Sequence, residues 1–103
     1  MVSRGDVWWY EPPDAKRRPA VVMTRTEAIQ SLNELFLVLA TTSIRGLATE
    51  VELGPEDGMP RSCVLNADHA TAADKIFLTE RITQLGSERM NEVCRALALA
   101  TRC

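Results

Sequence analysis

Arg18 and Thr41 are suited to hold one phosphodiester between them. Arg18 opens the run Arg18-Pro19-Ala20-Val21-Val22, and Thr41 opens Thr41-Thr42-Ser43 after the apolar run Leu35-Phe36-Leu37-Val38-Leu39-Ala40. A guanidinium offers a planar fork of donors to two non-bridging phosphate oxygens, which a lysine cannot reproduce. A threonine hydroxyl adds one more donor to the same group. RNA carries its own nucleophile in the 2′-hydroxyl beside each phosphate. A protein that cuts it needs to align that oxygen, move protons and stabilise the extra charge on phosphorus. This chemistry requires neither metal nor organic cofactor, and its expected products are a 2′,3′-cyclic phosphate and a free 5′-hydroxyl.

The flanking residues say how the two groups are positioned. Asp6 to Tyr10 reads as a strand with bulk on both faces, Val7 and Trp9 on one and Trp8 and Tyr10 on the other, so both faces are expected to meet protein. Glu11-Pro12-Pro13-Asp14-Ala15-Lys16 breaks regular structure, because proline fixes φ and removes an amide donor. Pro19 pushes Arg18 out of the helical region, so the arginine sits at the rigid start of a strand continuing to Met23. Thr26 to Asn33 can hold a helical turn capped by Thr26, and Leu35 to Ala40 is a continuous apolar central strand with Thr41 at its exit.

The rest of the chain alternates short strands and turns. Thr49 to Leu53 alternates polar and apolar, Gly54-Pro55-Glu56-Asp57-Gly58 is a turn, and Ser62 to Leu65 is a further strand that Asn66 to Ala70 leaves. Thr79 to Leu85 is the last strand. A helix follows Gly86, with Ser87 as its cap and Met90, Val93, Cys94, Leu97 and Thr101 on one face. Together these elements predict a mainly β chain with α: a small, strongly bent antiparallel sheet or barrel with a terminal helix packed on it.

Composition narrows the function classes. At 103 residues and 25% charged, the chain has the size of one small domain, and association with a copy of itself would add buried surface. The net charge of −2 excludes a surface coated in basic residues, so any polyanion site is local, with its focus at Lys16-Arg17-Arg18. No run approaches the ~20 apolar residues of a membrane span, and the first residues lack the apolar core of a signal peptide, so a cytoplasmic location is expected. Cys63, Cys94 and Cys103 form no Cys-x-x-Cys pair; no zinc site is expected, and Cys63 and Cys94 read as small buried hydrophobes.

The order of these pieces resembles the MazF/PemK family of bacterial toxins. The matching segments are Arg4-Gly5-Asp6-Val7-Trp8-Trp9, Arg18-Pro19-Ala20-Val21-Val22, Thr41-Thr42-Ser43 with Arg45-Gly46, Glu50-Val51-Glu52-Leu53, and Asn66-x-Asp68, followed by the closing helix. The resemblance covers nearly the whole chain and implies one toxin domain over residues 1–103 with an SH3-like barrel. It also implies a two-fold homodimer, sequence-selective endoribonuclease activity on single-stranded RNA, and inhibition by a small acidic-tailed, MazE-like antitoxin that blocks the RNA groove. By position, Arg18 and Thr41 match the family's catalytic arginine and threonine. The chain departs from the family before the arginine, where Pro-Pro-Asp-Ala-Lys-Arg replaces a longer loop that carries an acid; Glu11 or Asp14 is the candidate substitute.

Supporting or RNA-contacting candidates are Arg17, Arg25, Thr42, Ser43, Arg45, Asn66 and Asp68, each with a structural alternative. For the arginines the alternative is surface ion pairing, for Arg18 in particular with Glu11 or Asp14; for Asp68 it is capping its own turn. The general base is a loop acid, Asp68 or water. The family suggests Arg18 as the acid for the leaving oxygen, whereas its high pKa favours an electrostatic role. His69 reads as structural, beside Asp68 and far from the Arg-Thr pair in sequence. Trp8 and Trp9 read as core and dimer contacts more than as stacking platforms. The competing class is a non-enzymatic toxin of the same barrel resembling CcdB, which binds gyrase through its C-terminal end; here that end, Ala98-Leu99-Ala100-Thr101-Arg102-Cys103, has no tryptophan.

Overall fold

In the computed structural model, which describes residues 1–102, six antiparallel strands form one sheet. The strands are β1 (Asp6–Tyr10), β2 (Arg18–Val22), β3 (Glu34–Thr41), β4 (Glu50–Leu53), β5 (Cys63–Asp74) and β6 (Leu78–Gln84). Two helices join them, the single turn α1 (Thr26–Ile29) and the terminal α2 (Ser87–Thr101). The order across the sheet is β4-β5-β3-β2-β1-β6, bent but not closed, so β4 and β6 remain its edges. This is the bent sheet and packed helix expected from the sequence.

Each face of the sheet carries its own apolar cluster, as period-2 alternation along the strands requires. On one face Val7, Val21, Val38, Ala40, Val51 and Leu65 pack with Val93 and Ala96 of α2. On the other, Ala20, Val22, Leu35, Leu37 and Leu78 pack with Ile29, Trp8 and Tyr10. Met90, Val93 and Leu97 of the expected helix stripe pack on the sheet, and Ala96 and Ala100 join them in place of Cys94 and Thr101. Cys94 is exposed, with the Arg4 guanidinium 3.5 Å from its sulfur. Cys63 is buried as expected, and Cys103 lies outside the described residues.

Neither expected cap forms. The N-cap of α2 is Gly86, with Ser87 inside the helix. The N-cap of α1 is Arg25, because the Thr26 hydroxyl instead accepts the Arg4 amide at 3.0 Å. The larger difference is β5, which does not end at Leu65 but runs to Asp74. Its first part pairs with β4 through Leu53↔Cys63 to Glu50↔Asn66, and its later part with β3 through Val38↔Ala70 to Glu34↔Asp74. The register of β3 against β5 shifts between Val38 and Ala40, so Asn66 to His69 form the bend of a continuous strand instead of its exit.

A bidentate ion pair fixes the turn after β4 to α2. Arg89 Nε and Nη2 lie 3.0 and 3.3 Å from the two Asp57 oxygens, and Glu92 holds the third guanidinium nitrogen at 3.2 Å. Burial alone pushes the Asp57 carboxyl up, but the hydrogen bonds from Arg89 and the Gly54 amide, with the Arg89 charge, outweigh it and hold the group below its ordinary value near 3.8. A depressed folded pKa stabilises at pH above the unfolded value and is lost as pH falls through the folded one. Asp57→Asn is therefore expected to be less stable than the parent at pH 7, with the two converging as the pH falls below 3.8, measured by urea unfolding at each pH. A difference that persists undiminished in acid would remove the ion pair as its cause.

Candidate active site

The strand register brings Arg18 and Thr41 together. The last β2–β3 pair is Ala20↔Leu39, and carrying that antiparallel register two residues further sets Arg18 opposite Thr41 at the end of the sheet. Both continue the face that holds Ala20, Val22, Leu35 and Leu37. The Arg18 Nε–H donates to the Ala40 carbonyl at 3.0 Å, the peptide that leads into Thr41. This bond fixes the plane of the guanidinium and leaves its two terminal nitrogens for a ligand. Among the described residues no carboxylate pairs with Arg18. The competing ion pair is made by its neighbour instead, with Arg17 Nη1 3.8 Å from Glu11 Oε2.

Thr41 is set up in a complementary way. Its Oγ1 accepts the Ser43 amide at 3.2 Å, which orients the side chain and leaves the hydroxyl hydrogen to donate elsewhere. Arg18, Thr41 and Thr42 line one cleft of about 870 Å³, together with Lys16, Arg17, Arg61, Trp9, Tyr10 and Asp14. Lys16, Arg17, Arg18 and Arg61 against the single carboxylate of Asp14 make the cleft cationic within a chain of net charge −2. Cys63 also lines it, but burial, with a smaller push from the Asp57 charge, raises its thiol and keeps it from serving as a thiolate.

The other sequence candidates fall elsewhere. Glu11 borders the cleft without lining it, and its carboxylate holds the Thr79 hydroxyl and Arg17. Arg25 lines a separate depression with Arg4, Leu32 and Phe36, beyond the far end of β2 from Arg18. Ser43 gives its amide to Thr41. The Arg45, Gly46 and Leu47 amides converge on Glu50 Oε1 at 3.1, 2.9 and 3.3 Å, which shapes the loop after the threonines. Asn66 is buried and its Oδ1 accepts the Asp68 amide at 2.9 Å; Asp68 in turn accepts the Thr49 hydroxyl at 2.8 Å, tying the β5 bend to the start of β4. His69 is exposed and lines none of these depressions.

The tryptophans divide. Trp8 packs in the second cluster and donates its indole N–H to the buried Asp6 carboxylate at 3.2 Å. Trp9 is half-buried and lines the cleft, where the Arg17 guanidinium lies 3.9 Å over its ring, so that face of β1 is buried at Val7 but opens to the cleft at Trp9. Arg61 is a site residue that sequence reasoning missed. It stands alone in a Gly/Pro turn, and only the pairing of Thr41 with Val64 brings its segment to the cleft.

A bent, open antiparallel sheet carrying a terminal helix, with a guanidinium and a hydroxyl at one end of it in a cationic cleft, has the fold and site of a small toxin-type domain. Residues 3–101 match the model of the PemK-like, MazF-like toxins of type II toxin–antitoxin systems. The chain belongs to that family. It is 40% identical over 104 residues to the probable endoribonuclease MazF5 of Mycobacterium tuberculosis strain H37Rv, covering 100% of this chain and 95% of that one. It is 33% identical to the probable endoribonuclease MazF2 of the same organism, covering 99% and 100%. Among solved structures, Mycobacterium tuberculosis toxin MazF-mt6 matches with a TM-score of 0.86 at 24% identity over 94% of this chain and 96% of that one. A MazE–MazF structure from Deinococcus radiodurans matches with a TM-score of 0.84 at 22% identity over 100% and 98%. At these identities the structural matches speak to the fold. Among the described residues no helix is long and apolar enough to cross a membrane.

Proposed function

We propose that this toxin is a sequence-selective endoribonuclease, acting through one domain over residues 1–103, that cuts single-stranded RNA with Arg18 and Thr41 as its catalytic residues. The observation that carries the reading is the Arg18 Nε bond to the Ala40 carbonyl, which turns the rest of the guanidinium toward the cleft beside Thr41. Family membership and the relatives named endoribonuclease support it.

In this mechanism the terminal nitrogens of Arg18 and the hydroxyl of Thr41 hold the non-bridging oxygens of the scissile phosphate. The 2′-oxygen attacks phosphorus, the bond to the 5′-oxygen breaks, and the charge that builds on phosphorus meets donors already in place. Glu11 and Asp68 are committed to other partners, which leaves Asp14 as the cleft carboxylate able to take the 2′-proton, directly or through water. The leaving 5′-oxygen is protonated from water or Arg18. Thr42 and Arg17 contact neighbouring groups of the strand.

The toxin works in the cytoplasm as a homodimer, and the acidic tail of a MazE-like antitoxin competes with RNA, since a carboxylate fits the same fork as a phosphate. Purified protein is expected to cut single-stranded RNA in excess EDTA, to leave 2′,3′-cyclic phosphate ends, and to spare an all-2′-deoxy copy. A metal requirement, or equal cutting of both strands, would overturn the mechanism. A gyrase-binding reading resembling CcdB is not favoured, because the charged and hydroxyl groups of this chain converge in the cleft and not at the end of α2.

A further inference from the structure

We infer that Arg61 forms a second phosphate subsite of the cleft, beside the one that Arg18 and Thr41 make, and holds a phosphate flanking the one that is cut. This deepens the nuclease reading and rests on it for the identity of the strand. Thr41 pairs with Val64 in the antiparallel ladder, so the chain leaving β3 after Thr41 and the chain entering β5 before Cys63 pass the same end of the sheet. Arg61 stands three residues before Val64, about 10 Å of extended chain from the partner of Thr41. It is exposed, lines the cleft with Arg18 and Thr41, and among the described residues makes no ion pair.

An unpaired surface arginine is ordinarily unremarkable, because its side chain and its loop both wander. Here the loop is clamped. Asp57, four residues before Arg61, is gripped by Arg89 of α2 through two bonds, and its carbonyl accepts the Thr83 hydroxyl of β6 at 3.0 Å. Gly58 follows with φ 89°, seated against Thr83 where a Cβ would collide with the hydroxyl. Met59 is then buried in the core. The segment is thus held to a helix, to an edge strand and to the core within three residues, and it emerges at Arg61 into the cleft. With its loop already held, only the Arg61 side chain has to order on binding, and beside Arg18 it faces a polyanion whose phosphates repeat along the strand.

The test is the salt dependence of binding to an uncleavable probe, a short randomised all-2′-deoxy single strand with a fluorescent end, followed by anisotropy. Each phosphate contact contributes about 0.7 to the slope of log K against log salt for a single strand. Arg61→Ala is expected to make that slope shallower by about 0.7 and to weaken binding about tenfold at low salt. Arg61→Lys should keep the slope. Arg95→Ala removes the same charge from the exposed side of α2, away from the cleft, and should change neither. If Arg61→Ala retains the parental slope, or Arg95→Ala lowers it equally, the subsite does not exist, whatever becomes of the nuclease reading. If the subsite behaves as expected and RNA is nonetheless not cut, the subsite stands and the reaction assigned to Arg18 and Thr41 falls.

Discussion

Arg18→Ala is expected to lower single-turnover RNA cleavage by about 10² to 10³ or more, with unchanged circular dichroism and a thermal midpoint only about 4 to 8 °C lower. The side chain is half-buried at the first residue of β2, and its Nε bond to the Ala40 carbonyl is its one protein contact among the described hydrogen bonds. Losing that bond costs the fold about 1 kcal/mol, whereas losing two donors aimed at a phosphate that gains charge costs the reaction several times more. The informative variant is Arg18→Lys. It keeps the charge but not the fork, and a single ammonium cannot both hold the Ala40 carbonyl and straddle two phosphate oxygens. Lysine should therefore recover binding while leaving most of the rate lost. Cleavage by Arg18→Lys at the parental rate would show that only charge is needed and that the fixed guanidinium plane is irrelevant.

How far the sequence alone leads to this site depends on which physical signal each residue carries. Arg18 was legible because Pro19 restricts it locally, and Thr41 because it ends a continuous apolar run; both are short-range consequences of residue type. The convergence of the two is not local. It follows from the Ala20↔Leu39 register, which the alternation of apolar residues constrains but does not number. Arg61 shows the limit more sharply. Its neighbours Pro60 and Ser62 mark a turn, and nothing about a turn arginine says which surface it will face until β5 is paired with β3.

The strand β5 outruns its local sequence signal for a related reason. Asn66-Ala67-Asp68-His69-Ala70-Thr71-Ala72-Ala73 is rich in residues of weak strand preference, so intrinsic propensity argues for an exit at Leu65. Pairing with β4 on one side and β3 on the other overrides it, and where the ladder shifts the Asn66 side chain accepts the Asp68 amide while the Asp68 carboxylate accepts the Thr49 hydroxyl. The Asn-x-Asp pattern is thus accounted for as the pin of a bend. On α2 the sheet takes the stripe centred on Val93 and Ala96, which leaves Cys94 on the outward side of the helix.

Thr41→Val is the second substitution with a large expected effect, about 10² to 10³ in the cleavage rate. Valine keeps the β-branched shape and the strand preference of threonine, so β3 should be undisturbed. What disappears is the hydroxyl, which accepts the Ser43 amide and keeps its hydrogen free to donate to a ligand in the cleft. Thr41→Ser restores the oxygen without the methyl group and should return most of the activity, which separates loss of the donor from loss of packing. Because both groups act on one phosphate, Arg18→Ala and Thr41→Val together should cut little more slowly than the worse single variant. Once the fork is gone, the phosphate is no longer held where the hydroxyl can serve it. Strictly multiplicative losses in the double variant would mean that the two side chains act on different groups, and the shared-phosphate geometry would then be wrong.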